Sequence, residues 1–200
     1  DDARGNVLMG SLDANYASLI ASTGATNTAL GQYAIVSSTT GTGNTGVGQE
    51  ALRYNTTGQY NAAFGNTALR NNTTGYRNAA FGVNALDSNK ANYESTAFGY
   101  SAMQYANDIN TGTAITYNTA VGAYALQGSA SAAANTGTLN TAVGHSALMA
   151  NSSGIRNTAV GLSALSANST GSYNAAFGHS ALGNNNSDGN TAIGDNSMAN

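Results

Sequence analysis

Residues 61–69 read Asn-Ala-Ala-Phe-Gly-Asn-Thr-Ala-Leu, and residues 78–86 read Asn-Ala-Ala-Phe-Gly-Val-Asn-Ala-Leu. The same unit returns at residues 157–165 as Asn-Thr-Ala-Val-Gly-Leu-Ser-Ala-Leu. Recurrence at a fixed short period is typical of solenoids, in which each repeat stacks on its neighbours. The sequence therefore predicts an elongated repeat fold, and it directs the search for function to a shaft or a surface.

Ten such units align along the chain, and their first residues are separated by 17, 17, 17, 17, 23, 22, 17, 17 and 16 positions. We number the positions of each coil from these residues, which are Asn27, Asn44, Asn61, Asn78, Ser95, Asn118, Asn140, Asn157, Asn174 and Asn190. Alanine occupies position eight in nine units, and Leu, Ile or Met occupies position nine in all ten. Glycine occupies position five throughout, as the predicted coil turn, at Gly31, Gly48, Gly65, Gly82, Gly99, Gly122, Gly144, Gly161, Gly178 and Gly194.

The period of 17 residues favours parallel β structure, because helical repeats need more than about thirty residues. We expect each coil to contain a strand, a turn, a second short strand and a return loop. Asn-Thr-Ala-Val-Gly alternates like a strand, and Asn-Thr-Thr-Gly segments such as residues 55–58 are turn sequences, since Asn and Thr side chains bond nearby backbone groups. The prediction is an all-β parallel β-roll, or β-solenoid, of about ten coils, roughly 50 Å long at about 4.8 Å per coil.

The composition excludes several classes of protein. Only 8% of the 200 residues are charged, the net charge is −3, and neither cysteine nor proline occurs. The six Lys and Arg residues are scattered, so the chain lacks the basic surface that nucleic-acid binding requires. No stretch approaches the roughly 18 apolar residues of a membrane helix. A Gly/Asn/Ser/Thr-rich chain of low charge can be disordered, but the strict column order argues against disorder.

A second prediction concerns the residues at positions three and four. Successive strand residues such as Ala63 and Phe64 point to opposite faces, so if alanine fills the roll, position four points outward. The resulting apolar stripe exceeds the patches normal on a soluble monomer, and we expect partner chains to cover it in a homotrimer. A monomeric solenoid that encloses both columns is the alternative. The position-four column comprises Leu30, Val47, Phe64, Phe81, Phe98, Val121, Val143, Val160, Phe177 and Ile193.

The Asn-Thr-Ala-Val-Gly-x-x-Ala-Leu coil resembles the head repeats of YadA-like trimeric autotransporter adhesins over residues 24–200. It is also similar to repeats of tail-fibre-like proteins that end in an intramolecular chaperone domain. The resemblance implies left-handed parallel β-rolls packed as trimers. The adhesin heads usually have about 14 residues per coil, and the extra residues here fall in the Asn-Thr-Thr-Gly loop.

No catalytic residue, cofactor site or metal site is predicted. His145 and His179 both occupy position six, where a trimer could place three copies around its axis, but each is better explained as an isolated polar side chain. The carboxylates show no repeated spacing, and no Ser-His-Asp arrangement can be inferred. Asparagines in Asn-x-Ser/Thr sequons are explained by turn formation, at Asn55, Asn71, Asn72, Asn151 and Asn168.

The two long units carry insertions, at residues 104–117 and 127–139. Loops on rigid scaffolds commonly carry binding, and we expect ring stacking and hydrogen bonding to a glycan or protein on a host surface. The candidate ligand-binding residues are Tyr105, Asn107, Asp108 and Tyr117. A tolerated surface insertion is the alternative.

The remaining expectations concern the ends of the chain and its role. Residues 1–23 are predicted to form an N-terminal cap or connector, and residues 24–200 the repeat β-roll. An open final coil at Asn200 favours end-to-end filaments as one alternative function. A threonine column at position two, interrupted by Ala62, Ala79 and Ala175, favours ice binding as another. The main prediction is a non-enzymatic structural fibre and attachment protein at a cell surface or virion, outside the cell.

Overall fold

The computed structural model describes residues 3–9, 23–105, 116–130 and 135–199. One short strand recurs in each coil, and all strands pair in chain order, each parallel to the next, in a single eleven-stranded sheet. The β-solenoid prediction is therefore confirmed. The strands are β1 Val7–Met9, β2 Thr28–Leu30, β3 Thr45–Val47, β4 Ala62–Phe64, β5 Ala79–Phe81, β6 Thr96–Phe98, β7 Thr119–Val121, β8 Thr141–Val143, β9 Thr158–Val160, β10 Ala175–Phe177 and β11 Thr191–Ile193.

The register follows the repeat without a slip. Ala63 pairs with Ala80 and Phe64 with Phe81, and Phe98 pairs with Val121 across the first long unit. The extra residues of that unit therefore leave the stacking of its strands unchanged. Residues 7–9 pair with β2, so this part of the predicted N-terminal cap forms a layer of the sheet.

The core is narrow and consists mainly of alanine and leucine. Ala63, Ala68 and Leu69, at positions three, eight and nine, are fully buried, and the same positions are buried along most of the stack. Leu69 supplies the only large apolar side chain of its coil in this core. Burial of such a side chain stabilises the fold by about 1.5–3 kcal/mol, so each coil depends on its neighbours.

The predicted second strand is replaced by a different backbone conformation in the described coils. Positions seven and nine adopt left-handed conformations, with φ of 57° at Thr67 and 51° at Leu69. This conformation costs a non-glycine residue about 1–2 kcal/mol. It points alternate N–H groups along the stack in opposite directions: Leu69 donates to the carbonyl of Ala85 in the next coil, and Thr67 to that of Gln49 in the previous coil. These bonds between coils offset the local cost.

Two ladders of buried asparagines run along the interior. At position one, the Asn61 side chain accepts a bond from the backbone N–H of Asn78 at 3.0 Å and donates to the Gly75 carbonyl at 2.8 Å. At position twelve, Asn72 donates to the side chain of Asn55 at 2.7 Å and to the same Gly75 carbonyl at 3.0 Å. Both ladders therefore converge on the glycine that closes the Asn-Thr-Thr-Gly loop.

The ladders also account for the buried sequon asparagines. The side-chain nitrogens of Asn55, Asn72 and Asn168 are buried and donate to backbone or side-chain oxygens within the stack. Side-chain bonding of these turns was predicted from Asn-Thr-Thr-Gly. The bonding between coils was not.

Candidate functional site

The outward face of the sheet carries an apolar stripe formed by the position-four residues. Phe64 and Phe81 stack with ring centroids 4.8 Å apart and an angle of 4° between their planes, and Phe81 and Phe98 follow at 5.8 Å. The stripe faces away from the alanine core, because positions three and four alternate across each strand. Six of its ten residues are exposed: Leu30, Phe64, Phe98, Val121, Phe177 and Ile193.

The glycine that follows each strand is required by close stacking. Gly65 has φ of 137°, and a methyl group on it would lie 2.5 Å from the carbonyl oxygen of Gly82 in the next coil. Neither the conformation nor the contact accommodates another residue. At position five, adjacent coils thus approach too closely for any side chain.

The long-unit residues are only partly placed by the structure. Asn107 and Asp108 lie outside the described residues. Tyr105 is half-buried, and its carbonyl accepts a bond from Asn135 at 2.7 Å. Tyr117 is exposed and precedes β7. No ring contact joins these two tyrosines among the residues that the structure describes, so their shared ligand site remains a prediction.

The two histidines lie in different surroundings. His145 packs edge-on against Tyr124 at 5.6 Å. His179 bonds through Nδ1 to Asp195 at 2.7 Å, and its Nε2 lies 3.3 Å from the hydroxyl of Ser180. The side chains of His179 and Asp195 are 51% and 71% exposed. This Ser-His-Asp arrangement therefore lacks the enclosed, water-excluding surroundings on which catalysis by a triad depends. Across the described residues, no three His, Cys, Asp or Glu side chains are grouped to hold a metal ion.

A network of charges links three coils through side chains at positions seven and ten. Glu50 bonds to Arg53 at 2.7 Å, and Arg70 lies between Glu50 at 3.7 Å and Asp87 at 3.0 Å. Asp87 is buried, and its desolvation raises the pKa of the carboxyl above the ordinary value of 3.8, although Arg70 acts in the opposite direction. The network combines two cations with two anions and so offers no net charge to a ligand.

Asp87 is expected to make stability depend on pH. Because its pKa is raised in the folded state, its contribution is full below the ordinary carboxyl pKa and is lost as pH rises through the raised value. The unfolding free energy of the native chain, minus that of Asp87→Asn, should therefore fall as pH rises from about 3.5 to 7, because the amide of the variant does not titrate. Urea unfolding of both chains at each pH measures that difference. A constant difference would contradict the desolvation argument.

One group of surface residues was not predicted from the sequence. Positions sixteen and seventeen carry aromatic and charged side chains in adjacent coils, namely Tyr60, Tyr76, Arg77, Tyr93 and Glu94. The 17-residue alignment could have indicated this group, because tyrosine and charged residues are concentrated at these two variable positions between residues 59 and 94. The prediction of sites relied instead on the invariant positions and the long units.

Comparisons with known proteins identify no similar protein, so a proposal about function depends on the geometry of the chain. The part of the chain that the structure describes contains no helix long and apolar enough to cross a membrane. No protein-family model matches the chain, and no curated protein or solved structure is significantly similar to it.

Proposed function

We propose that this chain is the β-roll segment of an extracellular homotrimeric fibre, which projects from a cell or virion and attaches to a surface ligand. The observation that carries the proposal is the apolar stripe. Its side chains lie in register at every layer from β2 to β11. A continuous exposed stripe of this kind marks an interaction surface.

Three copies around a common axis would cover the stripe on each chain. Every strand carries only one position-four residue, so the interface gains a ring of three apolar side chains per layer. Removing a Phe or Val side chain from water stabilises an assembly by about 1.5–3 kcal/mol. Repetition over ten layers supports a stable shaft, and parallel pairing along the stack gives the shaft its continuity.

The stripe is also what separates this proposal from the alternative functions. Thr158 and Val160 point to the same outward side of β9, so the threonine column favoured by the ice-binding alternative lies beside the apolar column. Phenylalanine at four layers and alanine at three interrupt the regular surface that ice binding requires. The filament alternative needs contacts at the ends of the stack and leaves the stripe uncovered.

The mass of the chain in solution tests the trimer directly. Light scattering is expected to give three times the chain mass of 20.0 kDa, which is about 60 kDa. A mass of one chain would overturn the trimer and favour the ice-binding alternative. A broad distribution of large species would instead favour filament growth.

A matched pair of variants locates the interface. Phe64→Asp should convert the trimer to single chains, because three carboxylates would meet at the axis without counterions. Met149→Asp is the control, since Met149 and Phe64 are both 37% exposed and Met149 lies at position ten, outside the strand. Equal effects of the two substitutions on the measured mass would contradict an interface at the stripe.

A further inference from the structure

A groove on the outer surface crosses two adjacent coils next to β4 and β5. Its volume is about 340 Å³, and it is lined by Thr57, Gln59, Tyr60, Thr74, Tyr76 and Arg77. The volume lies at the lower end of the range for ligand clefts, which is about 300–1,000 Å³. The groove occupies positions fourteen to seventeen and is separate from both the apolar stripe and the long units.

Two tyrosines form the aromatic surfaces of the groove. The Tyr60 side chain is 59% exposed, and its ring lies over Gly43 so closely that a methyl group there would approach it within 2.8 Å. Tyr76 is half-buried and stacks on the buried Tyr93, with ring centroids 4.2 Å apart. Both rings are thus held by packing against a neighbouring coil.

The charged residue that lines the groove, Arg77, is paired with a carboxylate of the next coil. Arg77 bonds to Glu94 at 3.1 Å and lies 5.4 Å from the centre of the Tyr76 ring. The pair presents donors and acceptors without a net charge. Hydroxyl groups of Thr57 and Thr74 and the amide of Gln59 add further donors and acceptors beside the rings.

The backbone along the groove is already occupied by bonds between coils. The N–H of Tyr60 donates to Thr42 at 2.9 Å, and that of Arg77 donates to Gln59 at 3.0 Å. A peptide that binds by adding a strand needs free backbone groups at a sheet edge, which these residues do not supply. Recognition here must come from side chains.

We infer that this groove binds a neutral saccharide, an inference that rests on the attachment role proposed above. A sugar ring combines an apolar C–H face, which packs against a tyrosine ring, with hydroxyl groups around its edge. Fixed aromatic rings give contact area at low entropic cost. Arg77 and Gln59 can each bond to a hydroxyl group, whereas an anionic ligand would meet an arginine whose charge is already compensated by Glu94.

The test uses the full chain and a fixed set of probes. Binding of maltohexaose, cellohexaose, chitohexaose, mannohexaose and lacto-N-neotetraose is measured by saturation-transfer NMR and calorimetry, with a sulfated heparin hexasaccharide as the anionic comparison. We expect at least one neutral probe to bind and the heparin probe not to bind. Failure of all neutral probes, or binding of heparin alone, overturns the inference.

Matched tyrosine variants assign the binding to the groove. Tyr60→Ala should weaken the binding of the neutral probe about tenfold or more. Tyr173→Ala is the control, because Tyr173 occupies the same coil position, is 54% exposed, and lies beside an arginine, Arg156, as Tyr60 lines a groove with Arg77. Unchanged binding by Tyr60→Ala, or an equal loss in both variants, would refute the assignment.

Light scattering on the same samples separates this inference from the proposed fibre. A trimer that binds no neutral probe overturns the saccharide site and leaves the fibre standing. A single chain that binds a neutral probe through Tyr60 supports the site and overturns the trimer.

Discussion

Asn61→Ala is expected to lower the free energy of unfolding by about 3–6 kcal/mol, because one buried group left without a partner costs about 1–3 kcal/mol and each of three further buried bonds that are lost contributes about 0.5–1.5 kcal/mol. The substitution leaves the N–H of Asn78 without a partner. It also removes one of two bonds to the side-chain oxygen of Asn44 and one of two bonds to the Gly75 carbonyl, and the side-chain nitrogen of Asn78 loses its bond to residue 61. Alanine also leaves a small void beside the alanine core. The loss should appear as a lower urea midpoint in circular dichroism at one fixed protein concentration.

Asn66→Ala is the control for this prediction. Asn66 belongs to the same coil but is only half-buried, and its side chain bonds to that of Gln49 at 3.1 Å on the surface. Surface substitutions of this kind usually change stability by less than about 0.5 kcal/mol. If both variants lost similar stability, the ladder would not be the source of the effect.

Gly65→Ala is the second substitution with a large expected effect. The added methyl group would lie 2.5 Å from the Gly82 oxygen and 2.6 Å from its carbon, both backbone atoms of the stacked coil. Relief of this contact requires the coils to separate, which breaks hydrogen bonds on both sides of the turn. We expect a loss greater than the roughly 1–3 kcal/mol that the unusual backbone conformation alone would cost.

Gly194→Ala isolates the conformational part of that loss. Gly194 has φ of 120° in the same column, but none of the described residues lies within 4 Å of a methyl group placed there. Thermal unfolding of the two variants should therefore show a much larger decrease in midpoint for Gly65→Ala. Equal decreases would mean that the backbone conformation, and not the contact between coils, demands glycine.

The parts of the fold that local chemistry decides were predictable from the sequence. The 17-residue period, the strand at Asn-Ala-Ala-Phe and the opposite directions of Ala63 and Phe64 all follow from repetition and alternation. A second short strand was expected in each coil because a 17-residue period suits one coil of parallel β structure, but the Ala-Leu segment does not form one. Its left-handed conformation at Leu69 arises only from hydrogen bonds to adjacent coils, which no single coil reveals.

The candidate sites were harder to predict for a similar reason. Tyr60 and Tyr76 are sixteen residues apart and meet at one groove only because the coils stack in register. Recognition was predicted in the long insertions, because loops on rigid scaffolds commonly carry binding. The groove is formed instead by two coils of the standard 17-residue length, whose variable positions fourteen to seventeen carry tyrosine, threonine and arginine.

The asparagine ladder gives the stack a direction. Along much of it, the side-chain oxygen of one coil accepts the N–H of the following coil, as in Asn44 to Asn61 and Asn61 to Asn78. A completed coil therefore presents free acceptors on the side where the following coil stacks. A chain that emerges N-terminus first from a ribosome or a narrow channel can add one layer at a time, since each layer contacts mainly its neighbours. Each added layer hinders the chain from sliding back through such an opening, so the stacking of coils favours movement in one direction.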